Sequence, residues 1–384
     1  MPPVLVVLIA AHNEEQSIVA TLRSLLEQHR APDRIVVAAD NCSDRTAELA
    51  RSVPGVTVFE TENNKAKKPG ALNQAWRRFA AEDADVVVCM DADTTLGPLA
   101  LGDWEQEFDE DRFLGGCSAK FTMIAGDGMT WFEKLLVRLQ RAEFSKWTDL
   151  SLKRGRRTSV LAGTACCFRN EALREITRWR LPETKDPAPW IATSLVEDFE
   201  LTYRLRQCGW TTKVSATVRA YTDAMTDMRS LWAQRMKWQT GTVEDLLAFG
   251  VNRLTLFDWW QQFQGLVGIA VRFTWVVLLL RALLLQSFVL QPAWLIPPFL
   301  FLLNDIKQSF RIPLRERADV VVAASFLPQE GFAWVRAAWF GASWMQVLSQ
   351  KIFSRGPRDL WAAQADAERR RRSTCAVSAV GDSR

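Results

Sequence analysis

The segment VVVCMDAD at residues 86–93 joins an apolar run to two aspartates that lie two positions apart. Such a run is typical of a buried strand, and parallel α/β sheets bind ligands at the carboxyl ends of their strands. Alternate residues of an extended chain project to the same side, so Asp91 and Asp93 are predicted to face one ligand. Their hard oxygens suit a Mg²⁺ or Mn²⁺ ion that is also held by a nucleotide diphosphate. A strand-end turn with an aspartate as helix cap is the structural alternative.

Apolar runs and helical repeats alternate along the first ninety residues. Strands are predicted at Val4–Ala11, Arg34–Ala39, Val56–Glu60 and Asp85–Met90, and helices at Ile18–Leu26, Thr46–Ser52 and Gly70–Ala81. This alternation predicts an α/β fold with a parallel, doubly wound sheet. The less regular residues 97–250 are predicted to add strands at Leu114–Phe121 and Thr158–Phe168 and a long helix at Asp127–Leu150.

Composition restricts the classes of protein and site. The 384 residues suffice for one large α/β domain with an appendage. Two histidines leave little material for a histidine-built zinc site, and seven cysteines without a Cys-x-x-Cys pair predict reduced thiols in a cytosolic compartment. Residues 1–250 carry 32 Lys and Arg against 35 Asp and Glu, whereas residues 251–384 carry 16 against 9. The basic, aromatic C-terminal part predicts membrane lipids as partners rather than nucleic acid.

Two apolar segments, Gly265–Leu285 and Ser287–Leu303, approach the roughly 20 residues that a membrane helix needs. The turn between them has no Lys or Arg and the loop after them is basic, which predicts a helical hairpin with both ends in the cytoplasm. A buried hairpin of a soluble protein is the alternative. The Trp-rich Gly331–Gln350 is predicted to form an interfacial or re-entrant helix. The predicted domains are a cytosolic part at 1–250, membrane-associated helices at 251–360 and a basic, disordered tail at 361–384.

Six motifs together resemble those of glycosyltransferase family 2, in particular its membrane-bound cellulose, chitin and hyaluronan synthase-like branch. The resemblance runs from about Val4 to Trp238. The motifs stand in the family's order: AAHNEE at 10–15, DNCSD at 40–44, KPGALN at 68–73, DAD at 91–93, ED at 197–198 and QRMKW at 234–238. Each motif alone is common, and their joint occurrence is specific.

The resemblance implies a GT-A-type nucleotide-binding sheet and an inverting, metal-dependent glycosyl transfer at the cytoplasmic membrane face. Asp198 matches the general base that takes the acceptor proton, and Asp93 with Asp91 matches the Mg²⁺ or Mn²⁺ site. The donor, a nucleotide-diphosphate sugar, is expected to contact Ala11, Asn13, Glu14, Asp40, Lys68, Asp91, Gln234, Arg235 and Lys237. The acceptor, a glycan, a lipid-linked sugar or a protein side chain, is expected at Gly163, Thr164, Glu197 and Trp238.

Two positions depart from the processive members of that branch. Lys237 stands where they usually have Arg, and Lys cannot form the bidentate phosphate contact of Arg. Val196 stands where Thr usually precedes the Glu-Asp pair. The predicted membrane segments are also few. These departures argue against processive synthesis and export, but they leave glycosyl transfer intact.

Two other functions stay open. A nucleotidyltransferase would have a similar sheet and metal pair, but such enzymes usually carry a Gly-rich basic loop after the first strand, where this chain has HNEE at 12–15. A non-catalytic nucleotide-sugar-binding protein is the other alternative. It would not need the intact set of carboxylates at Asp40, Asp91, Asp93 and Asp198.

Overall fold

The computed structural model describes residues 3–124, 126, 128–182, 184–285, 295–353, 359–367 and 370. The chain divides into two compact units. The first comprises Met1–Ala125 and Lys146–Ala224, and the second comprises Gly126–Ser145 and Met225–Arg384. The predicted boundary at residue 250 separates a cytosolic from a membrane-associated part, and it stays a prediction.

The first unit is an α/β structure. Its strands are β1 Leu5–Ala11, β2 Arg34–Ala39, β3 Val56–Glu60, β4 Val86–Asp91, β5 Thr95–Leu96, β6 Leu114–Met123, β7 Ala165–Arg169 and β8 Thr211–Thr222. Its helices are α1 Ile18–Leu26, α2 Thr46–Arg51, α3 Lys67–Phe79, α4 Ala100–Glu110, α6 Asn170–Trp179 and α7 Glu197–Gln207, and α5 Trp131–Lys153 contributes residues to both units.

The strands form one sheet in the order β3-β2-β1-β4-β7-β6-β8-β5. The first four neighbours, β3-β2-β1-β4, are parallel, which confirms the arrangement predicted from the first ninety residues. The later strands make the sheet mixed, because β7 is antiparallel to both β4 and β6, and β5 is antiparallel to β8. A strand that is buried on both faces shows the same apolar run in either direction, so periodicity does not reveal this change.

Apolar layers cover both faces of the sheet. Along β1, Leu5, Val7 and Ile9 pack in a cluster with α1 and α4, whereas Val6 and Leu8 pack in a second cluster with α3, α6 and α7. All five side chains are fully buried. The continuous apolar run of β1 therefore reflects burial on both faces of the sheet. The polar side chains follow the ends of the strands.

Residues 158–164 are irregular, so the strand predicted at Thr158–Phe168 is confirmed only for its last part, β7. Side chains of α7 accept hydrogen bonds from backbone N–H groups of this loop. Leu161 donates to the hydroxyl of Thr202 at 2.8 Å, and Gly163 donates to Oδ2 of Asp198 at 3.1 Å. The loop is held by a helix more than 30 residues away, a partner that local sequence does not reveal.

The second unit is helical where it is described. It holds α8 Met228–Phe249, α9 Leu256–Leu284, α10 Ile296–Ser309, α11 Arg317–Ala324 and α12 Phe326–Phe353. Of the described residues, those of α9 alone form a helix long and apolar enough to cross a membrane by length and composition, and none of its most apolar 18-residue stretch is buried.

The predicted hairpin is described only in part. Its first arm lies in α9, but residues 286–294 lie outside the described residues and the rest of the second arm enters α10, which has 14 residues. The Trp-rich segment lies within α12. Residues 360–367 are helical, which differs from the predicted disordered tail at 361–384, and residues 371–384 lie outside the described part of the chain.

A buried ion pair anchors α7, the helix that begins with Glu197 and Asp198. Glu200 pairs with Arg180, which follows α6, and also with Arg204 at 2.9 Å. Arg180 and Glu200 are both buried. A buried charge is costly when one partner is removed, since its remaining partners seldom replace the lost hydrogen bonds.

Arg180→Ala should therefore lower the free energy of unfolding by about 3 kcal/mol, because Glu200 stays buried with less compensation. Urea unfolding of the full chain in mild detergent, followed by circular dichroism, measures this change. Arg178→Ala is the matched control, because Arg178 is exposed in the last turn of α6, two residues before Arg180. Equal stabilities of the two variants would contradict an anchoring role for the pair.

Candidate active site

The ends of β1 and β2 carry the predicted nucleotide-binding residues. Ala11 is the last residue of β1, and Asn13 turns the chain with a positive φ of 58°. Oδ1 of Asn13 accepts a hydrogen bond from the backbone N–H of Ser43 at 2.8 Å. The backbone carbonyl of Asp40 accepts one from Nδ1 of His12 at 2.6 Å. The two loops are therefore tied together beside the strand ends.

Asp40 is buried and its carboxylate is held by three side chains. Oδ1 accepts hydrogen bonds from Thr61 at 2.6 Å, Asn64 at 2.8 Å and Asn41 at 3.0 Å. Thr61 and Asn64 were not among the predicted site residues, because they follow a different strand, β3. The carboxylate is fixed in one orientation, as a group that recognises a ligand must be.

Glu14 lies in the loop after β1. Its backbone N–H donates to the hydroxyl of Thr46 at 2.7 Å, and its carboxylate accepts a hydrogen bond from Ser17 at 3.0 Å. These contacts tie the loop to the start of α2 and α1. The carboxylate also contributes negative charge to the neighbourhood of Asp93.

Lys68, in the first turn of α3, lies among predicted site residues from three other parts of the chain. Its ammonium pairs with Asp91 and donates to the backbone carbonyl of Gly163 at 3.1 Å. Burial works against the charged ammonium, but the carboxylates of Asp91, Glu197 and Asp198 outweigh it and raise the pKa of Lys68 above its ordinary value. Lys68 is therefore charged at every physiological pH.

Asp198 lies on the other side of Gly163. Its Oδ2 accepts the Gly163 N–H at 3.1 Å, and its Oδ1 accepts the N–H of Phe199 at 2.8 Å. The carbonyl of Thr164 accepts the N–H of Asp91 at 3.0 Å. A Cβ on Gly163 would lie 3.0 Å from the Lys68 ammonium, so a larger residue would have to displace that ammonium slightly. The fold thus brings the predicted base, acceptor turn, lysine and strand-end aspartate together.

Asp93 is half-buried after β4. Its Oδ1 accepts hydrogen bonds from Thr94 and Thr222, each at 3.3 Å. Burial and then the neighbouring carboxylates of Asp91, Asp223 and Glu14 raise the pKa of Asp93 to about 8. Asp223 was missed by sequence reasoning, although it directly follows β8 as Asp91 and Asp93 follow the apolar run of β4.

These carboxylates suit a divalent cation as donors. The carboxylates of Asp91, Asp223 and Glu14 interact with that of Asp93, and the ammonium of Lys68 pairs with Asp91. Within the described residues, no three His, Cys, Asp or Glu side chains are arranged as a complete metal site. A cation here would take its remaining ligands from water and from a bound diphosphate, as Mg²⁺ commonly does.

The four predicted residues of α8 belong to the second unit and form their own network. Arg235 is buried, pairs with Glu143 at 2.9 Å and donates to Oε1 of Gln234 at 2.9 Å. Its guanidinium lies 4.5 Å from the Trp238 ring centroid. Burial lowers the pKa of Arg235, and the Glu143 carboxylate opposes that shift.

Lys237, on the same helix, has a different partner: its ammonium lies 3.4 Å from the ring centroid of Trp361. Glu143 and Trp361 were not predicted, since both are distant in sequence.

Residues 6–177 match the family model described as Glycosyl transferase family 2. This part of the chain therefore resembles a glycosyltransferase family 2 domain. Its computed structure is also similar to that of a solved enzyme, the mannosyltransferase PcManGT from Pyrobaculum calidifontis in complex with GDP-Man and Mn²⁺. The two share 16% identity and a TM-score of 0.52, with 88% of each chain covered. The similarity confirms the predicted GT-A-type α/β fold.

Curated relatives of the family 2 domain include sugar polymer synthases. The chain is 25% identical over 243 residues to a poly-beta-1,6-N-acetyl-D-glucosamine synthase of Staphylococcus aureus, covering 62% of this chain and 55% of the relative. It is 26% identical over 259 residues to the probable glycosyltransferase YdaM of Bacillus subtilis, covering 64% and 57%. The chain spans about half the length of the curated relatives it matches.

Asp93→Asn should remove the stabilisation by divalent cations. In wild type, Mn²⁺ with a nucleoside diphosphate should raise the Tm, whereas the amide is a poor ligand and the variant should show little change. Without metal, near neutral pH, the variant should melt above wild type. The raised pKa of Asp93 means that folding must protonate a carboxylate that is ionised in the unfolded chain, and the amide carries no such cost. Asp109→Asn, an exposed position on α4, is the control. An equal rise with Mn²⁺ in both variants would exclude Asp93 as a ligand.

Proposed function

We propose that the protein is an inverting, metal-dependent glycosyltransferase that moves a sugar from a nucleotide-diphosphate donor to a hydroxyl acceptor. The observation that carries the proposal is the chain of contacts from Asp198 through Gly163 to Lys68 and Asp91, and the last three of these residues lie within the segment that matches glycosyltransferase family 2. These contacts join the candidate base Asp198 to the Lys68 ammonium and to the strand-end carboxylate of Asp91. Acid–base chemistry and leaving-group stabilisation both need these groups.

Asp198 is proposed as the general base. The acceptor hydroxyl must lose its proton while it attacks the anomeric carbon, and a carboxylate within hydrogen-bonding distance accepts that proton. The N–H groups of Gly163 and Phe199 hold the carboxylate in place. A single attack without an enzyme nucleophile inverts the anomeric centre. Glu197, the preceding residue, is buried and is proposed to support the acceptor loop rather than to take the proton.

The departing nucleoside diphosphate needs positive charge. Asp91 and Asp93 are proposed to hold a Mg²⁺ or Mn²⁺ ion, which supplies part of this charge when bound. Lys68 keeps Asp91 in position, and Arg235 and Lys237 of α8 are proposed to contact the diphosphate. Asp40, with its orientation fixed by three side chains, is proposed to bind the nucleoside together with the loops at Ala11–Glu14.

The relatives support a nucleotide sugar as donor and a saccharide as acceptor. A synthase of poly-beta-1,6-N-acetyl-D-glucosamine builds a sugar polymer, and PcManGT is described with GDP-Man and Mn²⁺. We therefore favour a glycan or lipid-linked acceptor, engaged by Gly163, Thr164 and Trp238, over a protein side chain. A panel of UDP-, GDP- and dTDP-sugars with Mg²⁺ or Mn²⁺, followed by product analysis, tests the donor class. A lack of both transfer and donor hydrolysis would favour a binding protein.

The proposed membrane attachment depends on α9. Within its apolar stretch, Arg272 pairs with Glu330 of α12 at 3.0 Å and lies 5.0 Å from the Phe301 ring of α10. Pairing lowers the cost of a charge in an apolar layer. A Cβ on Gly265 would lie 2.7 Å from the Phe340 ring, so α9 and α12 pack closely. We propose that the first half of α12 enters the membrane beside α9. The basic loop that follows the predicted hairpin favours the cytoplasmic side for the catalytic domain.

Asp198→Asn should reduce sugar transfer at least about a hundredfold, because an amide cannot accept the proton and a general base contributes about 10²–10⁴-fold. Donor affinity, measured by titration calorimetry with Mn²⁺, should stay near that of wild type. Asp109→Asn again serves as the control. Lost donor binding with an unchanged transfer rate at saturating donor would make Asp198 a donor ligand instead.

Glu330→Ala should leave the charge of Arg272 without its carboxylate, at a cost of about 2.5–3.5 kcal/mol if the pair lies within the membrane. The expected result is a smaller monodisperse fraction after extraction in mild detergent, measured by size-exclusion chromatography. The double variant Arg272→Leu with Glu330→Ala should recover that fraction, since no charge is left. Wild-type behaviour of Glu330→Ala would argue against a membrane position for the pair.

A further inference from the structure

Helix α8 is contacted within the second unit by the helical segment at residues 360–367, here called the C-terminal segment. The hydroxyl of Ser230 donates to the backbone carbonyl of Ala367 at 3.3 Å. The ammonium of Lys237 lies 3.4 Å from the ring centroid of Trp361. From Ser230 to Lys237 the chain advances seven residues along α8, which is about two helical turns. Their partners, Ala367 and Trp361, are six residues apart and follow in the reverse order. The C-terminal segment therefore runs antiparallel along one face of α8.

The α8 side of this contact is buried, and Trp361 itself is half-buried. Lys237 and Ser230 are buried on α8, and Leu360 and Ala367 are buried at the two ends of the C-terminal segment. A lysine ammonium within about 6 Å of an indole face is attracted to the ring, and the attraction grows when water is excluded. Trp361 therefore restricts a side chain that otherwise has four rotatable bonds.

We propose that Trp361 is a positioning residue that holds the Lys237 ammonium for the donor diphosphate, a role that rests on the proposed function. An arginine in this place would be pre-organised by its planar fork, whereas lysine is a point charge on a flexible stem. The Trp361 face contributes to the pre-organisation of the lysine. Because the ring attracts the whole cation, the ammonium keeps its capacity to donate hydrogen bonds to phosphate oxygens.

Two substitutions of Trp361, to Leu and to Phe, distinguish the effect of the aromatic π face from the effect of apolar side-chain volume. Leu keeps an apolar side chain without a π face, and Phe keeps both. In nucleotide-sugar turnover by the full chain with Mn²⁺, Trp361→Leu should raise the donor KM about fivefold to tenfold with a smaller change in kcat, because the cation contact acts on bound donor. Trp361→Phe should restore most of the affinity. A structural role alone predicts equal KM values for the two variants, which would overturn the proposal.

A double-mutant cycle with Lys237→Met tests the coupling directly. Once the ammonium is gone, Trp361→Leu should raise the donor KM no further. The same rise in both backgrounds would overturn the proposal. Trp131→Leu is the matched control, since that indole is 76% exposed and should be neutral.

Turnover and nucleoside diphosphate binding test the proposed function and the role of Trp361 separately. If wild type turns over no nucleotide sugar, the proposed function fails at that point. Wild type, Trp361→Leu, Lys237→Met and the double variant are then compared by calorimetric binding of a nucleoside diphosphate with Mn²⁺. The positioning role predicts that Trp361→Leu weakens binding in the wild-type background but not in the Lys237→Met background. Equal binding by wild type and Trp361→Leu overturns it.

Discussion

The Lys68 ammonium is the interaction on which the proposed site depends. Asp91, Glu197 and Asp198 come from a strand end and a helix start, and like charges that approach each other destabilise the fold. Lys68 pairs with Asp91 and also holds the carbonyl of the loop at Gly163. One half-buried cation thus compensates the carboxylates and holds the loop whose N–H orients Asp198. Glycine at position 163 leaves the space for it.

Two buried cations of the second unit, Arg235 and Lys237, have partners within that unit. Arg235 is paired with Glu143 and stacked near Trp238, while Lys237 faces Trp361. Internal partners of this kind hold a long side chain in one orientation, so less entropy is lost when a ligand binds. In the proposed function, a diphosphate adds to these contacts or replaces them. Its affinity would then also depend on Glu143 and Trp361, the internal partners of the two cations.

Sequence reasoning succeeded where the controlling signal is local. The strands at Arg34–Ala39 and Val56–Glu60 match to the residue, because apolar runs bounded by turn residues define both ends. The helix predicted at Thr46–Ser52 ends within one residue of its predicted end, for the same reason. The contacts that are absent from local sequence were missed: the loop at 158–164 is stabilised by side chains of α7, and Asp223 reaches Asp93 only through pairing of distant strands. Apolar composition identified α9 but not the partner of Arg272.

The late position of β7 has a consequence for synthesis of the protein. β4 ends at Asp91, yet its antiparallel neighbour begins at Ala165, after β6 and α5. At about 5–20 residues per second, a ribosome needs roughly 4–15 s to deliver β7. During that interval the apolar edge of β4 has no strand to pair with, and unpaired edges invite association with other chains. The nascent chain is therefore exposed to aggregation before its sheet can close, which makes it a natural client for chaperones that bind extended apolar segments.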